Sequence, residues 1–210
     1  MIPSILLHSS KIISPASREL LISKVAAMEL EIANDILIGA DYLESPNQDA
    51  RPADTDIELL VIHNISLPPG QFGASAIKQF FCNKLDTNSH AFYSEIAELQ
   101  VSAHLLIDRE GGLTQFVPFA RRAWHAGESI FCGKDKCNDF SIGIEMEGTD
   151  FENFTDRQYT SLSQVTRVLL DTYRTMAVEN IVGHSDIAPG RKTDPGPCFD
   201  WERYRQLLAN

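Results

Sequence analysis

The chain has 210 residues, of which 43% are hydrophobic, with 18 Lys and Arg set against 29 Asp and Glu for a formal charge of −11. That length and apolar content suit a single domain with a full core. The acidic balance argues against a polyanion-binding surface, which takes clustered Lys and Arg, and no stretch approaches the ~18 consecutive apolar residues of a membrane span. Neither nucleic acid nor membrane is therefore an expected partner.

The opening Met1–His8 lacks a basic leading region, its apolar stretch is short, and no small-residue cleavage site follows. It does not read as an export signal, so a cytoplasmic setting is expected. Leu20, Leu21, Val25, Met28 and Ile32 recur at helical spacing behind a cap at Ser14 or Ser17, predicting a helix over 14–34. This separates an N-terminal helical extension, residues 1–34, from a domain over 35–210. Residues 44–52 are polar and carry Pro46 and Pro52, the pattern of a loop. Strands are expected at 57–63, 101–108, 113–117 and 140–147, and helices near 74–82, 91–98, 155–174 and 199–208. The third of these helices is the clearest: Thr155 and Gln158 form a capping-box pair, and Tyr159, Leu162, Val165, Leu169 and Tyr173 recur at three- and four-residue steps. Mixed strands and helices in this order predict an α/β (α+β) fold, a central sheet with helices packed on it.

Three residues invite a metal reading. His63 closes the apolar run Ile57–Ile62, and the loop that begins Gly183-His184-Ser185-Asp186 runs through Pro189 and Gly190 to Lys192-Thr193-Asp194-Pro195-Gly196-Pro197. His184 and Asp194 are ten residues apart and converge only if that loop doubles back, which its prolines and glycines favour. Two neutral imidazoles and a carboxylate suit Zn²⁺ and leave a fourth tetrahedral position for catalysis. The plain alternative is a hydrogen-bonded His at a strand end and an ordinary Asp-Pro-Gly turn. In the strand 140–147, Phe140, Ile142, Ile144 and Met146 alternate onto one face, leaving Ser141, Gly143, Glu145 and Glu147 on the other. That second face reads either as a solvated sheet surface or as the floor of a site, with Gly143 opening space and one Glu transferring protons. Lys192 is either a surface cation or an oxyanion partner. Trp124, beside His125, is either core or a platform for a sugar ring. His104 reads as a hydrogen-bonded core residue. Cys82, Cys132, Cys137 and Cys198 are expected to be reduced.

Four strings carry a family resemblance: Val61-Ile62-His63-Asn64-Ile65-Ser66-Leu67-Pro68-Pro69-Gly70, Arg122-Ala123-Trp124-His125-Ala126-Gly127, Cys137-Asn138-Asp139-Phe140-Ser141-Ile142-Gly143-Ile144-Glu145, and Gly183-His184 through Trp201. Over roughly residues 35–208 the chain resembles the cytoplasmic 1,6-anhydro-N-acetylmuramoyl-L-alanine amidases of the zinc amidase family, which shares its fold with phage amidase-lysozymes and peptidoglycan recognition proteins. The resemblance implies a mixed sheet and one Zn²⁺ per chain, held by His63, His184 and Asp194. It further implies Glu145, rather than Glu147, as catalytic acid/base, Lys192 as transition-state stabiliser, and Asn64, Trp124, His125 and Lys136 as muropeptide contacts. Phage relatives use a cysteine eight residues after their histidine, whereas Cys198 lies fourteen after His184, so Asp194 is the expected ligand. Relatives carry cations near the positions of Gln100 and Lys136, of which only Lys136 keeps the charge. The implied reaction is hydrolysis of the amide joining 1,6-anhydro-N-acetylmuramic acid to L-alanine in cell-wall recycling. A muropeptide-binding module that does not cut is the alternative against which Glu145 and the three ligands speak. A lytic amidase on intact wall is disfavoured by the absence of an export signal and of a wall-binding domain. The sequence leaves the oligomeric state open.

Overall fold

The computed structural model describes residues 30–209. Where the sequence predicts the end of a helix, it has a hairpin of β1 (Glu31–Ala33) and β2 (Ile36–Ile38). Asn34 and Asp35 turn the chain with φ of 51° and 63°, the left-handed pair a tight hairpin needs and Asn and Asp tolerate. The helix expected over 14–34 therefore does not reach residues 31–33, and its part before residue 30 lies outside the described residues. The short β3 (Asp41–Tyr42) follows, and then β4 (Gln48–Ala50), which replaces part of the expected 44–52 loop by pairing antiparallel with β8 (Arg121–Ala123).

The run ahead of His63 becomes β5 (Leu59–Ile65), followed by α1 (Ser75–Phe81), α2 (Ala91–Ile96), β6 (Leu105–Ile107) and β7 (Leu113–Gln115). A small hairpin of β9 (Ile130–Phe131) and β10 (Lys134–Asp135) leads into β11 (Ser141–Glu147) and the long α3 (Asp156–Thr172). The predicted capping box is present: Thr155 Oγ1 accepts from the Gln158 N–H, and Gln158 Oε1 accepts from the Thr155 N–H. The chain closes with β12 (Ile181–Gly183), the one-turn α4 (His184–Ile187) and α5 (Trp201–Ala209).

Six strands form one mixed sheet in the order β12-β5-β11-β6-β7-β3. The four from β12 to β6 are parallel, β7 runs antiparallel to β6, and β3 runs parallel to β7. One face is covered by α3 and α5: Leu60, Ile62, Ile142, Ile144 and Met146 pack with Tyr159, Leu162, Val165, Leu169 and Tyr204. The other face carries two smaller apolar clusters. One sets Leu106 against Ile77, Phe80 and Phe81 of α1; the other sets Leu59 and Val61 against Ile187 of α4. The remainder of that second face is polar and holds the site.

The polar face of β11 is not a solvated surface. Glu147 is 1% exposed; its Oε1 accepts from the Gly73 and Ala74 N–H groups and its Oε2 from the Arg109 N–H, at 2.5–3.0 Å. It clamps the loop before α1 to the sheet. Arg51, from the stretch expected to be loop, donates to the carbonyls of Phe119, Asn138, Asp139 and Ser141 and so ties the turn before β11 to the segment before β8. Burial draws its guanidinium down to about 10, and the four carbonyls are what keep a buried cation tolerable.

Candidate metal centre and catalytic cleft

Strand register assembles the site. Gly183 at the end of β12 pairs with Ile62 of β5, so the next residue, His184, stands beside His63; across β5, His63 is in register with Glu145 of β11. Three adjacent parallel strands thus bring two imidazoles and a carboxyl to one level near their carboxyl ends, where open parallel sheets place their ligand sites. Asp194 arrives from the loop after α4. Gly183 permits this approach, because a Cβ there would lie 2.7 Å from Pro195 Cδ, and the Ser185 N–H donates to the Asp194 carbonyl at 2.9 Å.

His63 Nδ1, His184 Nδ1 and Asp194 Oδ2 lie 3.0 Å from one another. Among the described residues they are the group of His, Cys, Asp and Glu whose ligand atoms converge tightly enough for an ion. His184 donates its Nε2–H to the Ala126 carbonyl at 3.0 Å, so Nδ1 is the nitrogen it turns toward the Asp194 carboxylate. Burial holds His63 down to about 4, against the opposing pull of Asp194, so this ring is neutral near pH 7. Acceptors facing one another at 3.0 Å repel until a cation sits among them, which makes the cluster a site prepared for one. Donors on a tetrahedral zinc at about 2.0–2.1 Å stand roughly 3.3 Å apart, a few tenths more than the separations here, and the N/N/O donor set fits that ion.

Glu145 differs from Glu147 in its bonding. Its Oε2 is buried and accepts no hydrogen bond. Burial first, and the negative charge of Asp194 second, push its carboxyl well above the usual range, with Lys192 pulling the other way. A carboxyl of raised affinity for a proton beside a cation site has the character of a general acid/base. The cleft around it, about 260 Å³, is lined by His63, Asn64, Trp124, Glu145, His184, Lys192 and Asp194, and extends along an apolar wall of Phe92, Ile96, Leu99 and Val101. A second cavity of about 560 Å³, lined by Asp150, Phe151, Glu152 and Arg191, shares Asn64, Lys192 and Asp194 with the first. Two arms therefore meet at the cluster.

A profile of the family described as N-acetylmuramoyl-L-alanine amidase (Amidase_2) matches residues 53–197, which hold every residue of the cluster. The chain belongs to this family. It is 56% identical over 173 residues to the 1,6-anhydro-N-acetylmuramyl-L-alanine amidase AmpD of Escherichia coli K12, a match covering 82% of this chain and 94% of that one. Among solved structures, a selenomethionine AmpD derivative superposes with a TM-score of 0.82 at 51% identity, over 84% of this chain and 98% of the other. The E. coli amidase AmiD, solved with the substrate anhydro-N-acetylmuramic acid-L-Ala-D-γ-Glu-L-Lys, superposes with a TM-score of 0.54 at 27% identity, over 86% and 66%. The chain is an N-acetylmuramoyl-L-alanine amidase with the six-stranded mixed sheet of the AmpD structures.

The remaining candidates of the amidase are dispersed. Asn64 lines the cleft but donates its Nδ2 to Asp150 Oδ1 at 2.6 Å, and Trp124 lines the cleft, half-buried. Lys136 is exposed at a left-handed position, φ 60°, after β10, and does not line either arm; Gln100 is exposed beside Val101. His125, half-buried, also lines the cleft, and both its ring nitrogens face protein groups, Nδ1 at 2.9 Å from His63 Nε2 and Nε2 at 3.1 Å from Ser141 Oγ. Cys198 stands outside the donor cluster, and all four cysteines are free. Sequence reasoning passed over Ser141, Asn138 and Asp150. The signal for the first was available, since Ser141 shares the strand face of Gly143 and Glu145. Among the described residues no helix is long and apolar enough to cross a membrane.

Proposed function

We propose that this amidase hydrolyses the amide between the lactyl carbonyl of 1,6-anhydro-N-acetylmuramic acid and L-alanine of the stem peptide, in cytoplasmic recycling of cell-wall fragments, with one zinc held by His63, His184 and Asp194. The observation that carries the reading is the convergence of three acceptors at 3.0 Å beside the unpartnered Oε2 of Glu145. The names of the AmpD relatives and the substrate in the AmiD complex support the anhydro sugar. Zinc bound there supplies a water of lowered pKa and a Lewis acid for the carbonyl. Glu145 takes the proton from the attacking water and hands it to the leaving alanine nitrogen, so that water is consumed and a carboxylate and an amine are released. Lys192, on the wall of both arms, places its ammonium where the carbonyl oxygen becomes negative. Asn64 and Trp124 hold the muramyl-alanyl end, and Lys136 serves as a point charge for a stem carboxylate beyond the cleft.

Mass spectrometry of an anhydromuropeptide incubated with the purified protein tests this. Free peptide and free anhydro sugar are expected, and a chelator should abolish both. Retention of the intact muropeptide by zinc-loaded protein, bound but uncut, would establish the recognition-module reading in its place. Lys192→Ala is expected to keep its zinc and lose about 10²–10³ in kcat, the cost of one oxyanion partner; steady-state rates on the same substrate measure it.

A further inference from the structure

The family resemblance offers His125 as a substrate contact; it lines the cleft, and both its ring nitrogens also face protein groups. Its place there is prepared by β11: a Cβ on Gly143 would lie 2.4 Å from His125 Cγ and 2.5 Å from Nδ1, so a residue with a side chain at 143 collides with the ring. The direction of the hydrogen bonds around it can be followed from one end. Ser141, fully buried, spends its single hydroxyl proton on the Cys137 carbonyl at 2.6 Å. Toward His125 it can only accept, so the neutral ring carries its proton on Nε2, 3.1 Å from Ser141 Oγ. His125 Nδ1 is then a bare acceptor, and the group it faces at 2.9 Å, His63 Nε2, must be the donor. The consequence reaches the metal cluster: His63 has its proton on the outer nitrogen and a bare Nδ1 on the inner one.

The next residue does the same for the other ligand. The Ala126 carbonyl accepts His184 Nε2–H at 3.0 Å and Arg191 Nη2 at 2.7 Å. The backbone of both residues is anchored at a single point, Asn138 Oδ1, which accepts the His125 N–H at 3.1 Å and the Ala126 N–H at 2.8 Å. We infer that the segment His125–Ala126 turns the bare nitrogen of both metal-binding histidines inward, with Ser141 and Asn138 as the positioning residues that set it. The inference rests on the metal reading of the cluster. Outer partners of this kind fix the tautomer and orientation of a ligand and are worth 10–100-fold in metal affinity.

The test reads the tautomer itself. In the zinc-free full chain, long-range ¹H–¹⁵N correlation of the ring nitrogens is expected to show His63 and His184 in the Nε2–H form. Ser141→Ala removes the acceptor from His125 Nε2 and allows its proton to move to Nδ1, which then faces His63 Nε2. His63 should shift toward Nδ1–H while His184 stays as it is, and competition with a chromogenic chelator should show zinc bound about 10–100-fold more weakly. His125→Ala should weaken zinc at least as much. His125→Asn should recover most of the loss, because the Asn Oδ1 takes the place of Nδ1 as an acceptor. Two results overturn the inference: an unchanged His63 tautomer and zinc affinity in Ser141→Ala, or His125→Asn no better than His125→Ala. The second comparison stands even if Ser141→Ala fails to fold. Because the tautomer is read without zinc or substrate, failure to cleave muropeptide counts against the proposed reaction alone.

Discussion

Glu145→Ala is expected to retain about one zinc per chain and to lose on the order of 10²–10⁴ in kcat, the range for a positioned proton-transfer group. None of the three donor atoms belongs to Glu145, so its removal leaves the metal cluster whole. Its Oε2 accepts no hydrogen bond from the protein, so truncation strands no partner and the fold should hold. Glu147→Ala, two residues along the same strand face, should give the opposite pattern. It strips the acceptor from the Ala74, Gly73 and Arg109 N–H groups, and a buried donor left unpaired costs about 1–3 kcal/mol. Its denaturation midpoint should fall while the folded fraction keeps most of its turnover. Steady-state kinetics, metal analysis and urea titration of the two variants separate these outcomes. A near-normal kcat in zinc-loaded Glu145→Ala sinks the proposed mechanism.

Asp194→Ala should lose zinc, and Cys198→Ala should keep both zinc and activity. Asp194 Oδ2 is one of three donors, 3.0 Å from each imidazole nitrogen, so its loss should weaken binding by more than the 10–100-fold that outer partners are worth. It also removes the one charged ligand, leaving two neutral nitrogens for a divalent ion. Cys198 Sγ is outside the cluster. Metal content by elemental analysis, with chelator competition for the affinities, decides the assignment; an empty Cys198→Ala and a full Asp194→Ala would reverse it.

Much of this was legible in the chain because it is written in short-range pattern. Period-2 alternation marked β11 and its two faces, three- and four-residue spacing with a capping box marked α3, and the run before His63 marked β5. The three residues of the donor cluster were legible through residue type and the motifs around them. A different kind of information decided the rest. Parallel pairing joins segments far apart in sequence, and a single step of register changes which side chains meet; the pairing of Glu145 with His63, and of Gly183 with Ile62, is what makes one site from three strands. The hairpin at 31–38 takes residues 31–34 out of the expected helix because Asn34 and Asp35 turn the chain there. Glu145 and Glu147 are the same residue on the same face, and only the N–H groups of distant loops make Glu147 a clamp while the Glu145 Oε2 is left without a hydrogen bond. His125 is the clearest case: the family resemblance offered it as a substrate contact, and only the space left by Gly143 and the acceptor on Ser141 set its ring nitrogens against His63 and Ser141 while it still lines the cleft. The sequence by itself determined which residue types were available and which local elements they form; the tertiary structure alone decided what each polar side chain faces, because hydrogen-bond partners are set by distance in space and not along the chain.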